Sequence, residues 1–336
     1  ARAAMAAAQA IAPDAAESRL ARGEFAYFCE NDWPRALTEY QQAESGLPND
    51  ARLLGLIGYT HRRLGHWQAA VTHLEHTLAL DPADLYDASQ LAAFLIALRR
   101  YEQARDLALK CVRLAPRDAF VLEAVARAQF GLDGDAAAFH QAAATRPPAN
   151  DDPAGLRAAY RRALRMRDYA AAARILTDPR LKNIDGLHGI ALEPVELHRA
   201  LVAFADGQAE QARNFADLAI ADYRQRVWTP RQQPYVAMAV ALAKALGGRA
   251  DEAVREAEVA VELAIKADAY AGVTGLFELG RICAVAGRTD AALAALKRLM
   301  AGPSPVSPNE IRLDPLWLSL SGDSRFEEIL KSAKLL

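Results

Sequence analysis

The sequence predicts an all-α solenoid of about eight antiparallel helical hairpins, closed by a C-terminal capping helix. Two observations predict the repeats. Ala36, Ala70, Ala104, Ala138 and Ala172 recur at an interval of 34 residues. Pro48, Pro82 and Pro116 keep that interval, and so do Asp50, Asp84, Asp118 and Asp152. A third observation bounds the class. A chain of 336 residues, 52 % hydrophobic and 24 % charged, folds as two domains or one elongated array. Independent tracks sharing one period mark a stacked repeat unit that cannot bury its apolar face alone.

Each track has a physical task. Ala, Met and Gln favour a helix over Ala1–Ala12, ended by Pro13. It reads as the second helix of an incomplete hairpin, as expected of a piece of a longer protein. In each unit the Asp sits two residues after the Pro and caps the first helix, accepting from its orphan N–H groups. The Pro stops the helix before it. The Ala lets two helices approach closely. Trp33, Trp67, Tyr101 and Tyr169 stand three residues before an anchor alanine and plug the gap between hairpins; Asp135 takes that place in the fourth copy.

The period then lengthens. The anchors continue as Ala212, Ala253 and Ala292, at intervals of 40, 41 and 39 residues. Extra residues fall at Arg180–Leu192 and in an irregular linker at Val227–Pro234, marked by Trp228, Pro230 and Pro234. At the end, Leu313, Leu316, Trp317, Leu320, Phe326, Ile329 and Leu330 are too apolar for a loose tail. Asp323 caps a helix running to about Lys334 that should fold over Leu279, Leu296 and Leu299. The expected organisation is an N-terminal array over 1–180, longer hairpins over 181–300, and a loop and cap over 301–336.

Leu54, Ile57, Gly58, Ala70, Leu74 and Pro82 fall at the spacing W-x2-L-G-x2-Y…A-x3-F…P. The copies Leu20–Pro48 and Leu91–Pro116 do the same, and Leu276, Leu279, Gly280, Ala292, Leu296 and Leu299 restore it late in the chain. The chain therefore resembles the tetratricopeptide repeat (TPR) family over nearly its whole length. The resemblance implies a right-handed superhelix whose first helices line a concave groove. Gly23–Leu37, Ile311-Arg-Leu-Asp-Pro-Leu-Trp and Gly322-Asp-Ser-Arg-Phe are similar to the ends of TPR regions in bacterial multidomain signalling proteins. In that group the repeats accompany a Ser/Thr kinase, an adenylate cyclase or a winged-helix regulator.

Charge and motifs exclude much. Lys+Arg number 40 against 42 Asp+Glu, without a basic cluster, which argues against a nucleic-acid partner. No apolar run reaches membrane-spanning length, so no membrane insertion is expected. Phosphate-binding Gly-rich loops, G-x-S-x-G, H-E-x-x-H and the kinase segments are absent from the sequence. Neither catalysis nor a cofactor is expected. His73 and His76, with His61 and His66 nearby, could share a metal, but a solvated helix face explains them better. Cys111 and Cys283 read as core residues, and three cysteines without spacing form neither a disulfide framework nor a metal site. They lean toward a cytoplasmic setting, with a periplasmic one as the alternative. Asn150-Asp151-Asp152 reads as helix capping rather than a calcium loop.

Groove residues then follow from the resemblance as exposed positions on first helices. They are Tyr59, Arg62 and Arg63, then Tyr86 and Gln90, then Glu123 and Arg127, then Arg157, Arg161 and Arg165. The last three stand at i, i+4 and i+8 and share one face, a self-repelling stripe suited to a carboxylate-bearing protein or peptide partner. The carboxylate-clamp pattern that holds chaperone tails is not met, because Ala21, Phe25, Tyr59 and Tyr86 occupy its Lys and Asn positions. The expected role is a non-catalytic interaction region of a signalling protein. The alternative is a peptide or small-molecule sensor region of a cyclase or winged-helix regulator.

Overall fold

The computed structural model describes residues 12–116, 118–137, 153–185 and 192–336, with Ala6 and Ala10 before them. Among the described residues, eight first helices follow one another. The hairpins pair α1 (Ala16–Phe25, extended by a π-turn to Glu30) with α2 (Trp33–Glu44), α3 (Ala51–Arg63) with α4 (Trp67–Leu80), and α5 (Leu85–Ala97) with α6 (Tyr101–Leu114). After α7 (Ala119–Asp133), α8 (Pro153–Arg165) pairs with α9 (Tyr169–Ile175), α10 (Val195–Ala205) with α11 (Ala209–Gln225), α12 (Gln233–Leu246) with α13 (Ala250–Ala267), and α14 (Ala269–Val285) with α15 (Thr289–Ala301). The expected helix at Ala138 and the Asn150–Asp152 cluster lie outside the described residues, as does Ala1–Ala12 apart from Ala6, Ala10 and Ala12.

The repeat chemistry is visible at each corner. Ala36, Ala70, Ala104, Ala172, Ala212, Ala253 and Ala292 are all fully buried. Five residues before each of them the backbone turns left-handed, at Asn31, Gly65, Arg99, Arg167, Gly207, Gly248 and Gly287. That conformation ends the first helix and aims the chain into the second. Asp50, Asp84 and Asp118 accept from the backbone N–H of Leu53, Asp87 and Val121 at 2.8, 2.9 and 3.0 Å. The aromatics fill gaps between hairpins: Trp67 meets Phe94 edge-on at 6.3 Å, and the Tyr101 ring takes the space where a Cβ on Gly131 would sit.

Two features differ from the sequence expectation. The extra residues after Arg180 are not merely loop. Asn183–Asp185 (β1) and Leu192–Pro194 (β2) pair antiparallel, with Ile184 opposite Glu193. Ile184 is buried in one core with Tyr160, Leu176, Val195 and Val202. The second difference is larger. The array curls until the end of hairpin seven, the last hairpin and the cap touch hairpins one to four. Trp33 Nε1 donates to Ala267 O at 3.1 Å, Ser304 N to Ala97 O at 3.0 Å, and Leu336 N to Leu98 O at 3.1 Å. Small rotations between successive repeats add along a solenoid, so closure depends on their sum rather than on one repeat.

The cap lies where the sequence places it. Ser307 and Glu310 form a capping box at the start of α16 (Pro308–Leu313). A 3₁₀ turn (Pro315–Leu320) and α17 (Ser324–Lys331) follow. Trp317 is 1 % exposed and belongs to one core with Leu279, Leu296, Leu299, Phe326 and Leu330. Its ring lies over Gly280, where a Cβ would come within 2.2 Å.

Candidate functional site

The concave face of hairpins two to five is where the sequence places the partner-binding residues, and at hairpins two to four much of it is occupied by the chain's own C-terminal third. Arg63 illustrates this. It sits in the last turn of α3, and its Nη1 lies 3.0 Å from Asp268 Oδ2, with the two side chains only 4 % and 5 % exposed. Burial disfavours its charge, but Asp268, Tyr27 and Tyr235 outweigh that and raise its pKa. Asp268 also caps α14, accepting from Ala271 N at 2.7 Å. Arg62 stacks between the rings of Phe94 (4.9 Å) and Tyr270 (4.5 Å). Arg127 donates through Nε to Glu310 Oε1 at 2.9 Å and through Nη2 to Pro305 O at 2.5 Å. Asn309 Nδ2 donates to Phe130 O at 2.8 Å.

Of the ten expected groove residues Tyr86 is exposed, Arg63 is buried, and Tyr59, Arg62, Gln90, Glu123, Arg127, Arg157, Arg161 and Arg165 are only partly accessible. For Arg62, Arg63 and Arg127 the reason is that the C-terminal segment supplies their counter-charges and rings. Tyr59 donates its hydroxyl to Asp87 and is half-buried. Burial, then the bond to Asp87, push its pKa up. Glu123 lies 3.8 Å from Arg165, tying the fourth first helix to the fifth. Tyr86 remains 65 % exposed, with Gln90 half-buried one turn on. Arg157 and Arg161 are also half-buried.

The residues that sequence reasoning missed are those that close the array. Arg99 adopts φ +61°, at the turn position where four of the other repeats have glycine. Its guanidinium donates to the carbonyls of Met300, Gly302 and Lys334 at 2.9, 2.8 and 2.8 Å. An arginine five residues before an anchor alanine, where Gly65, Gly207, Gly248 and Gly287 stand in other repeats, was the available signal; strain at such a site is tolerated where surrounding contacts hold it. Asp268 and Glu310 gave none beyond their capping pattern.

His66 and His76 are exposed and His73 half-buried, so the solvated face fails for His61 alone. His61 is buried, its Nδ1 3.2 Å from Nδ1 of His66, and the His73 ring lies 5.2 Å from it. Burial, then His73 and His66, lower its pKa to about 4. Among the described residues no group of three or more His, Cys, Asp or Glu is arranged to hold a metal ion. Cys111 and Cys283 are buried and Cys29 exposed; burial raises the Cys283 thiol to about 11. No helix among the described residues is long and apolar enough to cross a membrane.

A second polar cluster lies where hairpins five, six and eight meet the cap. His198 Nε2 is 2.9 Å from Glu193 Oε2, and its Nδ1 is 3.0 Å from the Tyr160 hydroxyl. Arg281 lies between Glu278 (2.9 Å) and Asp314 (3.1 Å). Burial raises the Glu278 carboxyl to about 7, against the opposing pull of Arg281 and with the help of Glu193 and Asp314.

No family model matches the chain, and no curated protein matches it. Solved structures similar to it include MamA from Desulfovibrio magneticus, 20 % identical with a TM-score of 0.40, covering 48 % of this chain and 91 % of that one. PilW, a type IV pilus biogenesis factor, is 13 % identical with a TM-score of 0.47, covering 66 % of this chain and 98 % of that one. A tetratricopeptide repeat protein from Parabacteroides merdae is 12 % identical with a TM-score of 0.38, covering 94 % and 97 % respectively. The fold itself, an all-α solenoid of TPR type, rests on the hairpins, anchors and turns described above.

Proposed function

We propose that this chain is a non-catalytic protein-interaction scaffold, the regulatory repeat region of a larger bacterial signalling protein such as a Ser/Thr kinase. The signalling context comes from the likeness at Gly23–Leu37 and Ile311–Phe326. The partner is a protein or peptide carrying carboxylates, bound by first-helix residues that the C-terminal segment leaves accessible. One observation carries the reading. Tyr86 stands 65 % exposed on the first turn of α5, edge-on to Tyr59 at 6.1 Å, while the other described aromatics, Phe28 apart, are buried or half-buried. Exposed tyrosines of this kind anchor interfaces because they bury much area with few rotors to order. Gln90 extends that surface, and Arg157 and Arg161 supply charge-assisted bonds to carboxylates.

The test is a titration of the full chain with a fluorescent Asp/Glu-rich peptide ending in a free carboxylate. Arg157→Glu/Arg161→Glu and Tyr86→Ala should each weaken binding by about tenfold or more. Their helical circular dichroism should match the parent chain. Unchanged affinity in both variants would refute the assignment, as would a large fall in melting temperature.

A further inference from the structure

Four successive residues at the junction of α13 and α14 dock on hairpins one and two, each through a different contact. Ala267 O accepts from Trp33 Nε1 at 3.1 Å. Asp268 pairs with Arg63 at 3.0 Å. Ala269 sits over Gly65, where a Cβ would come within 3.1 Å of the Ala269 methyl. The Tyr270 ring lies 4.5 Å from the Arg62 guanidinium and 5.7 Å from that of Arg63. Asp268 is extended, with φ −163° and ψ 159°. A carbonyl, a carboxylate, a methyl and an aromatic ring, taken from consecutive residues, are what a peptide-reading surface engages.

The fit is incomplete. Among the described residues Arg62 and Arg231 make neither a hydrogen bond nor an ion pair, and the Nε atoms of Arg62, Arg63 and Arg231 are buried without a partner. Arg63, from hairpin two, and Arg231, from the linker before α12, approach the same Trp33 ring at 5.4 and 5.7 Å. Like charges therefore meet across the closure, and burial, then Arg63, lower the pKa of Arg231. Asp268 serves twice, since its Oδ1 also caps α14. The apolar cores lie on either side: one gathers residues 197–330, and those of the first hairpins lie within 26–57 and 70–128. Among the described residues, Leu313 beside Ala126 and Phe130 is the core contact that crosses. An interface within a chain that is polar rather than broadly apolar opens readily.

We propose that this closure is a peptide-binding site held shut by the chain's own residues 267–270. Its ligand is an extended segment of a partner protein: an acidic residue, a small residue and an aromatic in that order, with a second acid beside the aromatic for Arg62. Binding of that segment swings the C-terminal residues off hairpins one to four. The chain's own segment is thus a competitor, and it gives way to a ligand carrying the second carboxylate that it lacks. This site uses Trp33, Arg62 and Arg63, whereas the surface proposed above uses Tyr86, Gln90, Arg157 and Arg161, so variants of one set leave the test of the other intact.

Fluorescence polarisation with the full chain tests it. The probe is a fluorescein-labelled hexapeptide, Lys-Ala-Asp-Ala-Tyr-Ala, the sequence of residues 266–271. Asp268→Asn/Tyr270→Ala removes the competing side chains and keeps the α14 cap, since an amide oxygen still accepts. That variant should bind the probe about tenfold or more tighter than the parent, because competition lowers the binding-competent fraction. Arg63→Met on the same background should reverse the gain. Probes with Asn for Asp or Ala for Tyr should bind about tenfold or more weaker, and one with Glu for the last Ala tighter. In small-angle X-ray scattering, millimolar probe should raise the radius of gyration of the parent, and the Asn probe should not. The proposal is overturned if variant and parent bind the probe equally, or if the Asn probe binds as well as the Asp one. Where the variant loses its helical circular dichroism, an unchanged radius of gyration of the parent overturns it.

Discussion

Replacing Asp268 by Asn tests whether the curled array is the state in solution. The side chain does two things, and the substitution separates them. Its Oδ1 caps α14 by accepting from Ala271 N at 2.7 Å, and an amide oxygen can still do so. Its Oδ2 pairs with Arg63 at 3.0 Å, and that charge is lost. The guanidinium then stays 4 % exposed with no counter-ion, left with the Tyr27 and Tyr235 hydroxyls and the rings of Trp33 at 5.4 Å and Tyr270 at 5.7 Å. Breaking a buried pair by removing one partner costs roughly 3–5 kcal/mol, and the two ring contacts bring the expectation toward the lower end. Arg63→Met should cost less, about 1–3 kcal/mol, because the α14 N-terminus still stabilises the remaining carboxylate. The double variant should fall well short of the sum, giving a favourable coupling. Urea unfolding followed by far-ultraviolet dichroism gives the energies. Tryptophan fluorescence reports on closure directly, since Trp33 donates to Ala267 O across it. A cost below about 1 kcal/mol for Asp268→Asn would refute the closed arrangement, because surface charges behave that way.

Other substitutions probe the cap, the turn and the polar cluster. Trp317→Ala removes a side chain that is 1 % exposed and should cost about 3–5 kcal/mol by thermal or urea unfolding. Gly280→Ala sets helix propensity, worth about 1 kcal/mol in favour, against a Cβ placed 2.2 Å from the Trp317 ring; overpacking should win and the variant should be less stable. Arg99→Gly relaxes the left-handed turn but deletes three bonds to carbonyls, so a net loss of stability is expected in the same unfolding assay. Glu278 has a folded pKa of about 7, raised above its ordinary value of 4.5. The raised value favours the protonated folded form, so its stability is full below about pH 4.5 and lost as pH rises through 7. Glu278→Gln should flatten that decline, by up to roughly 3 kcal/mol between pH 5 and 8, read from urea midpoints.

The sequence by itself determined what is local or repeats locally. The anchor alanines are fully buried at every described position, and the capping aspartates bond where their spacing requires. The apolar tail is a cap because Trp317, Phe326 and Leu330 had no other face to cover. These features depend on residues within one hairpin or its neighbour, so a 34-residue period carries them. What the tertiary structure decided lies across the closure. Arg63, Arg62 and Arg127 sit at groove positions in any single repeat, and their spacing says only that they share a face. Whether that face meets solvent or Asp268, Tyr270 and Glu310, some 180 to 210 residues away, follows from the summed rotation of all the hairpins between them. The polar cluster around His198 and Arg281 has the same origin. Glu193 stands on a ribbon that the repeat pattern does not contain, and Glu278 on a helix two hairpins later. Only folding brings Glu193 beside His198 and sets Arg281 between Glu278 and Asp314.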